Sequence, residues 1–514
     1  MTKPKQYNRF YFAFLFFAAT QPTFTLQSIQ TTDDTTKIDS SRLKTEKGLM
    51  VFDYEVIPIA KNQSIDLLGV HYFAKWNDWL YVGFGLHAPM VRGDYGGFMT
   101  FDSTIHVQRN IFEHLFVDGG VSLGGGGGGS SVKQSVELSG TGGFGKGYLG
   151  VGREFDTFSA GVNYTYFEFI DSSIKSSQWN VFVQKPFSYT IGSYVDSTKM
   201  IELPYAFLEG SENILTLETN TIFQIDPKGS KTQTIHALSL QFSHFFTNAH
   251  YLFFGADIGY KGLPLYNQAL HGIGYRYEFS PRTHLRIQIG LGSGGYSPDD
   301  IDTGSGLLVY PKILLEYLSE ENLGWSFGGG YLVAPLGTSK NYTVGTALNY
   351  HLSVKQSSTK ESAILKGFRF NLFAQTEFDA HVNSKKHHDI KMLSVQLDKL
   401  LNENWYLATQ VSVAYNDFLG YPGYGEVAVG FGMQNKYVPS SRFQNFLQLL
   451  IGANVYGILF KPSIGTNYTI QDNIALYGQI GKTMSIDQMD LYRKDKNLRA
   501  YFIGFGFTYR FSLL

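Results

Sequence analysis

The sequence has no cysteine, so neither a disulfide nor a thiolate metal site can be built from it. Charge is scarce too: 17% of residues are Asp, Glu, Lys or Arg, against roughly 25% in an ordinary soluble domain. The formal net charge of −1 gives no basic field for nucleic acid and no overall field for steering ions. Beyond residue 25 no apolar run reaches the roughly 18 residues that a membrane-spanning helix needs. No segment carries a convincing helical period.

Glycine and aromatic residues are abundant: 56 Gly, 42 Phe, 34 Tyr and 5 Trp in 514 residues. Mean hydropathy is nevertheless only −0.12, because apolar residues alternate with polar ones instead of clustering. The last stretch shows this best. Tyr501, Ile503, Phe505, Phe507, Tyr509, Phe511 and Leu513 share one strand face, while Gly504, Gly506, Thr508, Arg510 and Ser512 share the other. Such a run suits a strand of about 9–11 residues crossing a bilayer at a tilt. Similar alternation recurs, as in Leu80, Val82, Phe84 and Leu86 against Tyr81, Gly83, Gly85 and His87. Leu285, Ile287, Ile289 and Leu291 likewise oppose His284, Arg286, Gln288 and Gly290.

Lys3, Lys5 and Arg9 precede a short apolar core, Phe10 to Ala19, which reads as a secretory signal over residues 1–25. An anchor helix would need a longer core, and Gln21-Pro22 follow directly. Residues 26–48, rich in Thr, Asp, Lys and Ser, are expected to form a flexible periplasmic leader. Residues 49–514 are expected to form the alternating, strand-built domain.

A threefold repeat runs through that domain. Asn77, Asn248 and Asn402 each open a similar strand, Pro311 and Pro462 each start another, and Gly-rich ends recur at Gly124, Gly292 and Gly452. The repeats are placed at 64–230, 235–380 and 389–514, with about eight strands each and roughly 24 (22–26) in all. A packed β-sandwich array could also cover the apolar faces. Against it, the opposite face mixes Gly with Arg, Glu, Gln and Asn, and aromatics such as Trp79, Tyr275, Tyr317, Trp325, Tyr350 and Trp405 sit toward strand ends.

The signal, the alternation from Met50 to Leu514 and the aromatic last strand together resemble bacterial outer-membrane β-barrel proteins. That resemblance implies an all-β, transmembrane antiparallel barrel in the cell outer membrane. It also implies folding by a barrel assembly machinery that reads the last strand. Tyr509 and Phe511 fit that signal, but the chain continues through Ser512-Leu513-Leu514 where the family usually ends in Phe. One large barrel is favoured over three tandem eight-stranded barrels, because three would need polar linkers and no long one is evident. The expected function is an outer-membrane channel, porin-like or for export of a solute or polymer. The alternative is a barrel-anchored surface protein, an adhesin or receptor, without transport. A wide barrel needs a plug, a loop gate or a periplasmic partner, and outer-membrane lipid surrounds it.

Inward charges supply the site candidates: Arg276, Glu278, Arg286, Lys312, Glu316, Arg369 and Glu377. They are read as lumen-lining, paired as Arg276 with Glu278, Lys312 with Glu316 and Arg369 with Glu377, either tuning passage or neutralising one another. No cofactor, metal site or enzymatic activity is expected. Asn349, His351 and Ser353 share a strand face and faintly resemble the residues of outer-membrane phospholipases, but polar lumen residues are the favoured reading. Lys385 to Asp389 and Asp299 to Asp302 read as solvated loops rather than metal sites. Gly124 to Gly129 reads as a flexible loop, since it lacks the context of a phosphate cradle.

Overall fold

The computed structural model describes residues 43–60, 63–93, 95–96, 98–127, 142–170, 174–202, 212–225, 234–262, 266–294, 301–320, 322–353, 362–416, 424–454, 456–486 and 497–513. The signal and most of the leader lie outside these residues. Residues 44–48, assigned to the leader from sequence, instead begin the first strand, Lys44–Ala60.

The chain is all-β and antiparallel, and its strands close three times. Eight strands from Lys44 to Gly192 form the first barrel, eight from Asn213 to Ser353 the second, and eight long strands from Lys366 to Leu513 the third. Each closes when its first strand pairs with its eighth: Lys44–Tyr54 on Val181–Ile191, Asn213–Gln224 on Asn341–Ser353, and Lys366–Val382 on Leu498–Leu513. The total strand number is the one expected, but a single wide barrel is not what these strands build. An eight-stranded barrel leaves an interior that side chains just fill, so each repeat can complete a core by itself.

The linkers that three barrels require are residues 193–212 and 354–365. They escaped notice because the polar stretch of the second, Lys355 to Ser362, is short; Met200–Glu202 of one linker pairs with Ser362–Ile364 of the other as a small two-stranded sheet. In the first linker, the 3-10 turn Tyr194–Asp196 tucks Tyr194 into the cluster at the end of the third barrel. The repeat boundaries therefore shift by about a strand from 64–230, 235–380 and 389–514, since each unit begins with the strand that closes it.

The repeat markers occupy equivalent places. The turn before the third strand is capped by Asn77 Oδ1 in the first barrel, which accepts from the N–H groups of Trp79 and Leu80 at 3.0 Å each. Asn402 Oδ1 does the same for Asn404 and Trp405 at 2.8 and 2.9 Å. In the second barrel the capping atom is Thr247 Oγ1, at 3.2 and 2.8 Å from Ala249 and His250 N, so the repeat runs through Thr247 rather than Asn248. Gly124, Gly292 and Gly452 all lie on fifth strands, and Pro311 and Pro462 on sixth strands. Gly124 to Gly127 are thus strand rather than loop; the rest of that glycine run lies outside the described residues.

Outward rows are apolar and exposed, with Leu149 at 75% and Phe505 at 62%. Exposed Trp79, Trp325 and Trp405 sit at strand ends, as an interfacial girdle requires. Tyr350 does not join them. It is buried with Leu352 against Phe368 of the third barrel, and Lys399 Nζ lies 3.7 Å from its ring centre. Each barrel touches both others. Tyr72 and Phe84 of the first, for example, meet Phe242 and Phe254 of the second. Ser512 and Leu513 pair with Gly192 and Ile191, tying the rim of the third barrel to the first, which gives the residues beyond Phe511 a structural role.

Candidate functional site in the barrel interiors

Inward positions follow one plan in all three barrels: a polar middle between apolar clusters at the two ends. In the first barrel, Ile57, Phe98, Phe144 and Phe169 close one end, and Leu49, Phe73, Phe116 and Phe182 the other. Ile222, Ile235 and Leu332 close one end of the second barrel, and Ile214, Phe245 and Phe253 the other. Val382, Ile390 and Met392 close one end of the third, and Phe373, Tyr406 and Phe446, with Tyr194 from the linker, the other.

A lysine on each sixth strand anchors each middle. Lys146 contacts Glu55 on the first strand and lies 3.3 Å from Asp53. Lys312 meets Glu218, also on a first strand, at 2.5 Å. Lys461 contacts Glu426 and lies 3.6 Å from Glu377 on the first strand of the third barrel. All these groups are buried, where an unpaired charge would be costly, so each lysine crosses the lumen to a carboxylate.

The seven inward candidates distribute as follows. Arg276 is buried over the Phe245 ring and donates to Glu212 at 2.8 Å, with Glu278 at 3.3 Å. Glu278 itself is exposed at the barrel end. Arg286 is fully buried, donates to Asn349 Oδ1 at 2.9 Å and lies 3.7 Å from Glu316. Glu316 also faces His284 and His351. Arg369 pairs with Asp398 at 2.9 Å and stacks on Tyr406. Glu377 takes Lys461 and Thr483. The pairs Lys312–Glu316 and Arg369–Glu377 therefore do not form. Residues four apart on a strand are separated by about 13 Å, and eight apart by about 26 Å, so partners come from across the lumen. Glu218, Glu212, Asp398 and Lys461 were missed because alternation reveals a face but no partner.

The middle of the second barrel is spanned by Gln241 and Gln288, whose amides exchange hydrogen bonds at 3.4 and 3.3 Å. Gln396 and Gln448 do the same in the third barrel, at 3.1 and 3.4 Å. The first barrel has instead a closed ring of two aspartates and two histidines. Asp53 lies 3.5 Å from His71 Nδ1 and 3.3 Å from His87 Nε2; Asp102 lies 3.4 Å from His71 Nε2 and 3.6 Å from His87 Nδ1. All four are buried. His87 already faced inward in the strand pattern, but only closure brings it to Asp53 and His71.

Asn349 is engaged by Thr216, Arg286 and Ser326, and His351 bridges Glu212 and Glu316 at 2.8 and 3.3 Å. Both are bound into the interior network; the Ser353 side chain lies outside what is described. Lys385 and Lys386 form an exposed hairpin, and Asp302 spends its carboxylate on Gly304 N and Thr338 Oγ1.

These closed antiparallel barrels, with apolar exteriors and polar middles, are built like those of outer-membrane β-barrel proteins. No protein-family model and no curated protein matches the sequence. Among solved structures, a mutant of the ferric enterobactin receptor PfeA of Pseudomonas aeruginosa aligns at 8% identity, covering 91% of this chain and 80% of that one, with a TM-score of 0.28. The siderophore receptor PirA of the same organism aligns at 11% over 92% and 80%, with a TM-score of 0.27. KdgM porin in complex with disordered oligogalacturonate aligns at 10% over 57% of this chain and 98% of that one, with a TM-score of 0.16. At these scores nothing is carried from those proteins to this one.

Proposed function

We propose that the protein is a barrel-anchored surface protein of the outer membrane, a rigid three-barrel platform that carries its loops without an open pore. The observation behind this reading is the pair of apolar clusters closing each interior, with buried ion pairs between them. Hydrated ions would have to cross two dry layers and break a buried pair. Connections at one end of the barrels are short, such as 113–114, 281–282 and 472–473, while those at the other include 128–142 and 487–497. Short turns in this class face the periplasm, so the longer connections face outward, where a partner would bind. The barrel assembly machinery remains the expected folding partner, reading the last strand.

A gated conduit is the second reading, favoured by the polar middle of every barrel and by a small cavity beside Asp53. Planar-bilayer recording of the folded protein separates the two. A sealed platform gives no conductance steps, and Lys312→Ala with Glu218→Ala leaves it silent. Stepwise conductance of the unaltered protein would establish the conduit instead.

A further inference from the structure

We propose that the first barrel binds one divalent transition-metal ion of the zinc class through His71 Nδ1, His87 Nε2 and Asp53, with Asp102 orienting both imidazoles. The internal repeat supplies the first argument. Five residues before Trp76, Phe246 and Leu401, which open equivalent turns, lie His71, Gln241 and Gln396. Seven residues after Leu80, His250 and Trp405 lie His87, Asp257 and Ser412. Four residues before Gly124, Gly292 and Gly452 lie Gly120, Gln288 and Gln448. The second and third barrels therefore close with an amide pair, which the fold can evidently use. The first barrel replaces that pair with a histidine and a glycine. Tyr148 takes the space that a side chain on Gly120 would fill, and beside His71 lies a cavity of about 20 Å³, lined in part by Asp53, His71, Lys146 and Tyr148.

The donor set fits the ion. Asp53, His71 and His87 each offer one ligand atom, all within 4.8 Å of one another. The contacts of Asp53 with the two rings, Oδ1 to His71 Nδ1 at 3.5 Å and Oδ2 to His87 Nε2 at 3.3 Å, are each close to the ligand–ligand spacing of a tetrahedron with bonds near 2.0–2.1 Å, about 3.3 Å. The far nitrogens, His71 Nε2 and His87 Nδ1, both face Asp102, which Thr104 Oγ1 holds at 2.5 Å. A carboxylate behind a ligating imidazole is the usual device for fixing its tautomer and orientation. Cavity space beside Asp53 leaves room for a water as a fourth ligand.

Two further observations point the same way. Asp53 Oδ1, on the side where the ion would sit, is buried and makes no hydrogen bond, which is costly unless something else satisfies it. Asp53 and Glu55 face one lysine, Lys146, and Asp102 joins them through the two histidines, so with neutral imidazoles the connected network lacks two positive charges. One divalent cation supplies both. The backbone also makes room: a Cβ on Gly69 would run into the His87 ring and Asp53, and one on Gly85 into the His71 ring.

The test uses the full chain folded in detergent, stripped with chelator, loaded with zinc or cobalt(II) and desalted. Elemental analysis is expected to find one zinc per chain, and the cobalt form to show the visible bands of a tetrahedral site. His87→Ala should lose at least 90% of the bound metal. His71→Gln, which installs the residue the other two barrels carry there, should also lose it while keeping the heat-modifiable gel mobility of a folded barrel. His284→Ala, in the second barrel, should retain the full equivalent. A folded protein without stoichiometric metal, or unchanged binding in folded His71→Gln, would overturn the proposal and leave a pair of protonated histidines as the source of the missing charge.

Discussion

Gln448 and Gln396 exchange amide hydrogen bonds across the third barrel, and Gln448 also accepts from Tyr406 Oη at 3.2 Å and donates to Gln479 at 3.1 Å. Gln288 has the same relation to Gln241 and to Tyr251 in the second barrel, with Tyr251 Oη at 3.2 Å. Gln288, Gln396 and Gln448 are buried in these lumens. Gln448→Ala should therefore lower the stability of the folded barrel by about 1–3 kcal/mol, the cost of leaving buried polar groups unsatisfied. Urea unfolding followed by gel mobility measures it; a loss under about 0.5 kcal/mol, the range of a surface change, would remove the clamp from the account.

An inward glycine and an outward one are not interchangeable. A Cβ on Gly432 would fall inside the Tyr406 ring, whereas one on Gly147 meets nothing within 4 Å. Gly432→Ala is expected to destabilise by about 1–3 kcal/mol through overpacking, and Gly147→Ala to stay within about 0.5 kcal/mol of the parent. The same unfolding assay compares them, and equal effects would contradict the packing described for the third barrel.

The strands were legible in the sequence because side-chain alternation is local. The apolar row of Tyr501, Ile503, Phe505 and Phe507 faces outward as its period requires. The threefold repeat was legible through its turns and glycine ends, although a threonine, Thr247, stands where an asparagine was expected. Closure was not. It joins Thr219 to Thr346 and Asp53 to Phe182, pairings between distant residues that no period encodes. Once closure was misjudged, the interior pairs were misjudged too: Lys312 finds Glu218 only because the first and sixth strands of a narrow barrel face each other. The Asp53–His71–His87 cluster was hidden for the same reason, since its members lie on three strands and meet only inside the ring.

The outward face makes a depth-dependent prediction. Leu149, three-quarters exposed, lies mid-strand in Gly143–Glu154, while Arg153 lies on the same face near the turn and stacks over Phe155. Leu149→Arg should cost about 2–4 kcal/mol and Arg153→Leu about 0–1 kcal/mol, because the penalty for a lipid-facing charge falls from midplane to interface. The contrast is measured in vesicles; in water-soluble protein it would vanish, and its absence would deny this face to lipid.

The account rests on three separate closures, and the middle one can be read directly. Thr219 and Thr346 are cross-strand partners on the first and eighth strands of the second barrel, with their hydroxyls 3.1 Å apart. Paired residues of adjacent antiparallel strands have Cα atoms about 4.5–5.5 Å apart, inside the disulfide window of about 4.4–6.8 Å. The chain has no cysteine of its own to interfere. Thr219→Cys with Thr346→Cys should therefore form a reducible intramolecular disulfide in nearly all of the folded protein. In one wide barrel the two strands would lie seven positions apart along the wall, roughly 30 Å, and a folded double variant whose thiols stay free would contradict the three-barrel structure.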